Sequence, residues 1–258
     1  MSVSAPPGPI TLPGRNVLPP VSLRAPRPAR PATAVRIGAA MGLRQLLRRA
    51  VALHVALALL LSLSAALVER SAAKAGAVDR ALDAVFGLLL PLAVFALVAE
   101  LCGRGNLRRA AWSAAKFGVA RRDVAIGMLL PALAVAMVLG ALMSTVAVLF
   151  THSAAVPMLA RDVLVGGWVA ALTACAYVGW FALGSTFFAR GGGRWLVLAI
   201  DFVIGGTVGL AGAVLPRANA QNLLGGEPPL GVSQPVSAAI LVVTAVALCS
   251  LAAVRCRD

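Results

Sequence analysis

Charge is scarce in this chain, and acidic charge is scarcest. Only 12% of its 258 residues are Asp, Glu, Lys or Arg, and only nine are acidic. A soluble domain gives about a quarter of its residues to charge, so a chain this poor in it cannot wet a whole folded surface. Its four cysteines, at 102, 175, 249 and 256, show no CxxC or Cys/His spacing, so neither a metal site nor a disulfide framework follows. No GxxxxGK[ST] phosphate loop occurs, and no HExxH, Ser/His or paired-carboxylate constellation can be assembled. The Gly-rich stretch from Arg190 to Arg194, RGGGR, lacks the Lys-Ser/Thr of a phosphate cradle and reads as a tight turn.

What is present is apolar. The hydrophobic share is 60% and the mean hydropathy +0.91, the composition of an all-α, polytopic membrane protein. The net charge of +14 invites a nucleic-acid reading. The basic residues, however, cluster at the ends of apolar runs, so the bilayer is the expected partner and nucleic acid is not. Residues 1–35 hold nine of the sixteen prolines and four arginines, with no apolar run, and are expected to be a disordered Pro/Arg-rich cytoplasmic tail. Residues 36–258 form the membrane domain.

Within that domain, Arg36 to Arg49 interleaves Leu43, Leu46 and Leu47 with Arg44, Arg48 and Arg49, as an interfacial elbow helix does. Six spans are expected, at about 50–68, 82–101, 124–150, 163–187, 195–215 and 236–254; a 19-residue helix rises about 28 Å, enough to cross the hydrocarbon. Pro91 and Pro131 should kink the second and third. The fourth, rich in small residues such as Gly166, Gly167, Ala174 and Gly179, should be central. The glycines GGTVGLAG weaken the fifth, and residues 216–235 are too polar to span, so an outer hairpin or re-entrant segment is expected there. Three ionisable groups lie within spans. His54 is expected to be neutral and bonded to a neighbouring helix, and Glu100 to pair with Arg104. Asp201 is expected to pair with an inner-face arginine or a helix N-terminus, because an unpaired carboxylate in the bilayer costs about 2.5–3.5 kcal/mol.

Between the second and third spans lies GRGNLRRAAWSAAKFGVARRD, from Gly103 to Asp123. At about 100° per residue, Leu107, Ala110, Ala111, Ala114 and Phe117 share one side, and Arg108, Arg109, Trp112, Ser113 and Lys116 the other. This predicts an amphipathic helix over 107–119, its apolar side on the bundle and its Arg/Trp side outward. Lys and Arg number 18 in the segments on the island's side of the membrane against 5 on the other, which puts the island and both termini in the cytoplasm.

An elbow, six spans, a basic amphipathic helix after the second, a broken segment before the last and the finish AAVRCRD together resemble the permease subunit of type-2 ABC exporters; AAWSAAKFGVARRDVAIG looks like their coupling segment. The resemblance covers about residues 36–258. It implies a multi-pass protein of the bacterial cytoplasmic (inner) membrane that exports a lipid, drug, glycan or other amphipathic substrate. It also implies a second permease copy, as a homodimer or paired half-permease, and a coupling helix presenting Arg108, Arg109, Trp112 and Lys116 to a separate ABC ATPase. The chain would then be no enzyme itself and hold no cofactor, with ATP and Mg on the partner. The competing expectations are an ion-coupled secondary transporter, for which only His54, Glu100 and Asp201 are available, and a non-transporting scaffold or sensor protein.

Overall fold

The computed structural model describes residues 31–72, 76–103, 105–115, 118–152, 158–188, 190–207 and 209–256. Helix is the only regular structure among them. Five helices are long and apolar enough to cross a membrane: Arg49–Ser71, the run opening at Ala77, Arg121–Thr151, Leu159–Ser185 and Gln234–Val254.

The chain enters on α1, Pro31–Leu46, which starts inside the stretch assigned to the tail; residues 1–30 lie outside the described ones. Its buried residues Ala34, Gly38, Gly42 and Leu46 recur every four positions and form one stripe. That stripe lies against the start of α6, Arg121–Thr151. A Cβ at Gly38 would collide with the carbonyl oxygen of Val124, and one at Gly127 with that of Val35, so the two backbones touch directly. Its outer positions, Ile37, Leu43, Arg36 and Arg44, are exposed.

Helix α2, Arg49–Ser71, follows after two residues. The next run begins with α3, Ala77–Ala84, passes through a π-helical turn at Val85–Leu89 and continues as α4, Leu90–Cys102. Pro91 explains the turn: it has no N–H to donate one turn back, and the ladder slips so that the Leu90 N–H reaches the Val85 carbonyl. The distortion therefore precedes Pro91.

Helix α5, Leu107–Ala115, leads into α6, whose 31 residues rise about 47 Å and outrun the hydrocarbon. Helix α7, Leu159–Ser185, touches α4, α6, α11 and the segment after it. Its small residues permit this: a Cβ at Gly140 of α6 would stand 2.8 Å from the Ala170 carbonyl oxygen, and one at Gly179 would stand 3.0 Å from that of Ala245 on α11, Gln234–Val254.

The fifth expected span is not one helix. Helix α8, Gly193–Ile204, has 12 residues, about 18 Å, too short to cross alone. The chain turns at Gly205 and Gly206, forms α9, Leu210–Val214, and then α10, Pro216–Leu223. The glycines that weaken the fifth span break it, and Pro216 starts a fresh helix. Helix α10 is packed into the protein, with Ala218, Asn219, Ala220, Asn222 and Leu223 buried, and it touches α7, α11 and the π-helical turn. Asn222 donates to Ser237 Oγ on α11 and to the Val232 carbonyl, both at 2.8 Å.

Candidate functional site

Two polar centres stand out, one at an end of the bundle and one within it. The end is defined by the termini that meet there: the turns after α4 and α7 touch through Asn106 and Phe188, and Arg255 after α11 lies over the Phe187 ring at 4.4 Å. Arg44, Arg48, Arg49, Arg108, Arg109, Arg121, Arg122, Arg190, Arg194 and Arg255 belong to segments reaching this end, with Glu100 and Asp123 the acids among them. The opposite end mixes signs and holds the Arg80–Glu69 ion pair at 2.6 Å.

At the basic end α5 begins with a cap absent from the sequence expectations. Asn106 Oδ1 accepts the Arg109 backbone N–H at 2.8 Å, and its Nδ2 donates to the Phe188 carbonyl at 3.4 Å. Leu107, Ala111 and Ala114 are buried against the bundle, while Arg108 and Arg109 are exposed and Trp112 is 44% exposed. Lys116 and Phe117 lie outside the described residues. The Arg121 guanidinium carbon stands 3.8 Å from the centre of the Trp112 ring, a cation–π contact between α5 and α6. Asn106, Arg108, Arg109, Trp112 and Arg121 line an open cleft of about 420 Å³. Its chemistry is an aromatic face among arginine donors, suited to carboxylate or phosphate oxygens.

Behind the cleft, Arg194 is 8% exposed and spends its guanidinium on carbonyls: Gly191 at 3.2 Å, Val98 at 3.4 Å and Gly105 at 3.5 Å. It ties the end of α4, the lead into α5 and the turn before α8 together, a cation placed where a helix C-terminus favours one. Nearby Cys256 is fully buried, and burial pushes its thiol up to about 11, which keeps it protonated and unreactive at neutral pH.

The second centre is inside the bundle. Ring contacts seat α8: Trp195 meets Phe95 of α4 at 4.5 Å, Phe95 meets Phe181 of α7 at 5.6 Å edge to face, and Phe181 stacks on Tyr177 at 5.7 Å. Tyr177 and Asp201 are both fully buried, and the Tyr177 hydroxyl donates to Asp201 Oδ2 at 2.9 Å. Asp201 Oδ1 has no hydrogen-bond partner among the described residues. Arg217 of α10 lies close enough to act electrostatically on both residues. Asp201 is thus held by a tyrosine, with an arginine of α10 in electrostatic range, where pairing with an inner-face arginine or a helix N-terminus is expected from the sequence.

His54 and Glu100 contribute to neither the cleft nor the Tyr177–Asp201 pair. His54 is exposed and bonds the Ala50 carbonyl of its own helix at 2.7 Å, which corrects the expected bond to a neighbouring helix. Glu100 is half-buried and shares with His54 a narrow crevice between α2 and α4, lined also by Val51, Val55 and Leu97; its expected partner, Arg104, lies outside the described residues.

Comparison with protein-family models, with curated proteins and with solved structures finds no match for this chain.

Proposed function

We propose that this chain is the transmembrane subunit of an ATP-driven exporter of the type-2 ABC kind, moving an amphipathic substrate outward with energy from a separate ATPase. The observation that carries the reading is α5. A nine-residue helix lies between the second and third membrane-length helices, its apolar face buried on α4 and α6 and its Arg/Trp face open at the basic end. A helix fixed on one side and open on the other is built to take a push, and the chain has no phosphate loop of its own.

The broken α8–α9–α10 segment serves as a fifth, discontinuous crossing, giving six passages with both termini on the basic, cytoplasmic side of a bacterial inner membrane. A second permease copy completes the pathway. The Arg face of α5 meets the ATPase, which binds the ATP and Mg. The deciding experiment purifies the tagged full chain from its native membrane. The reading expects one ATPase bearing GxxxxGK[ST] to come down in stoichiometric amount and to be lost in the Arg108→Glu/Arg109→Glu variant. Proton-driven uptake with no bound ATPase would replace this reading with an ion-coupled carrier using the Tyr177–Asp201–Arg217 cluster.

A further inference from the structure

Two arginines, buried Arg194 and half-buried Arg217, differ in a way that assigns a role to one of them. Arg194 satisfies its guanidinium on three carbonyls. Arg217 makes no hydrogen bond and no ion pair within 4 Å among the described residues, and its Nε is enclosed without a partner. Enclosed polar groups nearly always find partners, and a membrane-embedded ionisable group without one marks a site by default.

The Arg217 guanidinium occupies space that two glycines leave free of side chain. A Cβ at Gly87, in the π-helical turn, would stand 2.8 Å from Arg217 Nη2, and one at Gly206 would stand 3.7 Å from Cζ. Two glycines therefore flank the guanidinium with backbone alone. The residue is half-buried, so the group is reached from one side. Helix α10 packs beside the π-helical turn and, through Asn222 and Ser237, beside the start of α11, which places Arg217 in the half of the bundle away from the basic end. Asp201 meets the same glycine turn: a Cβ at the adjacent Gly205 would stand 2.9 Å from its Oδ1, which has no hydrogen-bond partner among the described residues, while its Oδ2 accepts from Tyr177. Its carboxylate is near enough to act electrostatically on Arg217 but makes no hydrogen bond or ion pair with it among the described residues, so the guanidinium donors are not spent on it.

We propose that Arg217 is an anion contact, taking the phosphate, carboxylate or sulfate head of an amphipathic ligand, with Asp201 as its resting counter-charge. A planar guanidinium suits such oxygens through paired donors. The proposal deepens the export reading by naming the class of cargo, an anionic amphiphile, and rests on that reading only for the word cargo.

Because Asp201 and an anion compete for one cation, the two charges of the cluster should act with opposite sign. The test titrates the purified full chain, in a non-ionic detergent, with dioctanoyl phosphatidic acid, dioctanoyl phosphatidylcholine and inorganic phosphate, counting bound molecules by native mass spectrometry. Phosphatidic acid should bind one per chain. Arg217→Gln should weaken it about tenfold or more, as for a lost charge-assisted bond, Arg217→Lys should restore part of the loss, and Asp201→Asn should tighten binding. Arg161→Gln, an exposed arginine outside both polar centres, should leave it unchanged. Equal binding of inorganic phosphate would keep the anion contact and move its source from a lipid head to a free anion. Wild-type affinity in Arg217→Gln, equal binding of phosphatidylcholine, or weaker binding in Asp201→Asn would overturn the proposal and make the pair a structural one. No ATPase is needed for this titration, so its failure and the failure of the export reading are separate results.

Discussion

Replacing Trp112 by alanine should separate what α5 does for the protein from what it does for a partner. Among the described residues the ring has one polar contact, the Arg121 guanidinium at 3.8 Å, and it stands 44% exposed. A cation–π contact at an exposed site is worth about 0.5–1 kcal/mol, so the purified Trp112→Ala chain should unfold within a few degrees of wild type. An aromatic anchor at an interface costs about 2 kcal/mol or more when truncated, roughly thirtyfold in Kd. Leu107→Ala inverts the pattern: Leu107 is fully buried on the same helix, and emptying such a site costs about 2–5 kcal/mol of stability. The assay pairs thermal unfolding in detergent with the Kd for the ATPase that copurifies with the chain. Trp112→Ala with a Kd within twofold of wild type would refute the assignment of the outer face of α5 as the docking surface, whatever Leu107→Ala does.

Reporter fusions after residues 75 and 156 should read extracytoplasmic, and fusions near 110, at 192 and at 258 cytoplasmic; a cytoplasmic reading at 156 contradicts the six-passage topology. Tyr177→Phe removes the one hydrogen bond to Asp201 and leaves both carboxylate oxygens without a partner, so it should lower stability by about 1–3 kcal/mol, read as a lowered apparent Tm; an unchanged Tm would mean that the bond does not hold α7 to α8. Gly127→Leu drives a side chain into the Val35 carbonyl and should lower the yield of folded protein, whereas Gly192→Ala, which meets nothing within 4 Å, should be silent; equal yields would show that α1 is not held by this contact.

The two faces of α5 were legible because they need only a period: the 100° step puts Leu107 and Ala111 inward and Arg108, Arg109 and Trp112 outward, as observed. The signal for Asn106 is present too, since an Asn before a helical run is a favoured cap. Arg194, Tyr177 and Arg217 had no local signature. Their partners lie far along the chain, 24 residues for Tyr177 and Asp201 and 96 for Arg194 and Val98, and carbonyl or electrostatic partners leave no pattern in sequence. The glycines after Asp201 showed that the fifth helix was weak. That it stops at Ile204 and resumes as separate helices depends on how α10 packs against α7 and α11, which no window of sequence contains.

The contact between α1 and α6 has a mechanical meaning. Packed protein interiors compress little and transmit strain, and here Gly38 and Gly127 bring peptide groups of the two helices into direct touch. Two rods joined in this way transmit displacement with little lost motion. Helix α5 adjoins α6 through Arg121 and Trp112, and α1 passes into α2 across only Leu47 and Arg48. A sideways load on α5 is therefore shared by α6, α1 and the head of α2, and it passes on to α7 where Gly140 of α6 meets the Ala170 carbonyl.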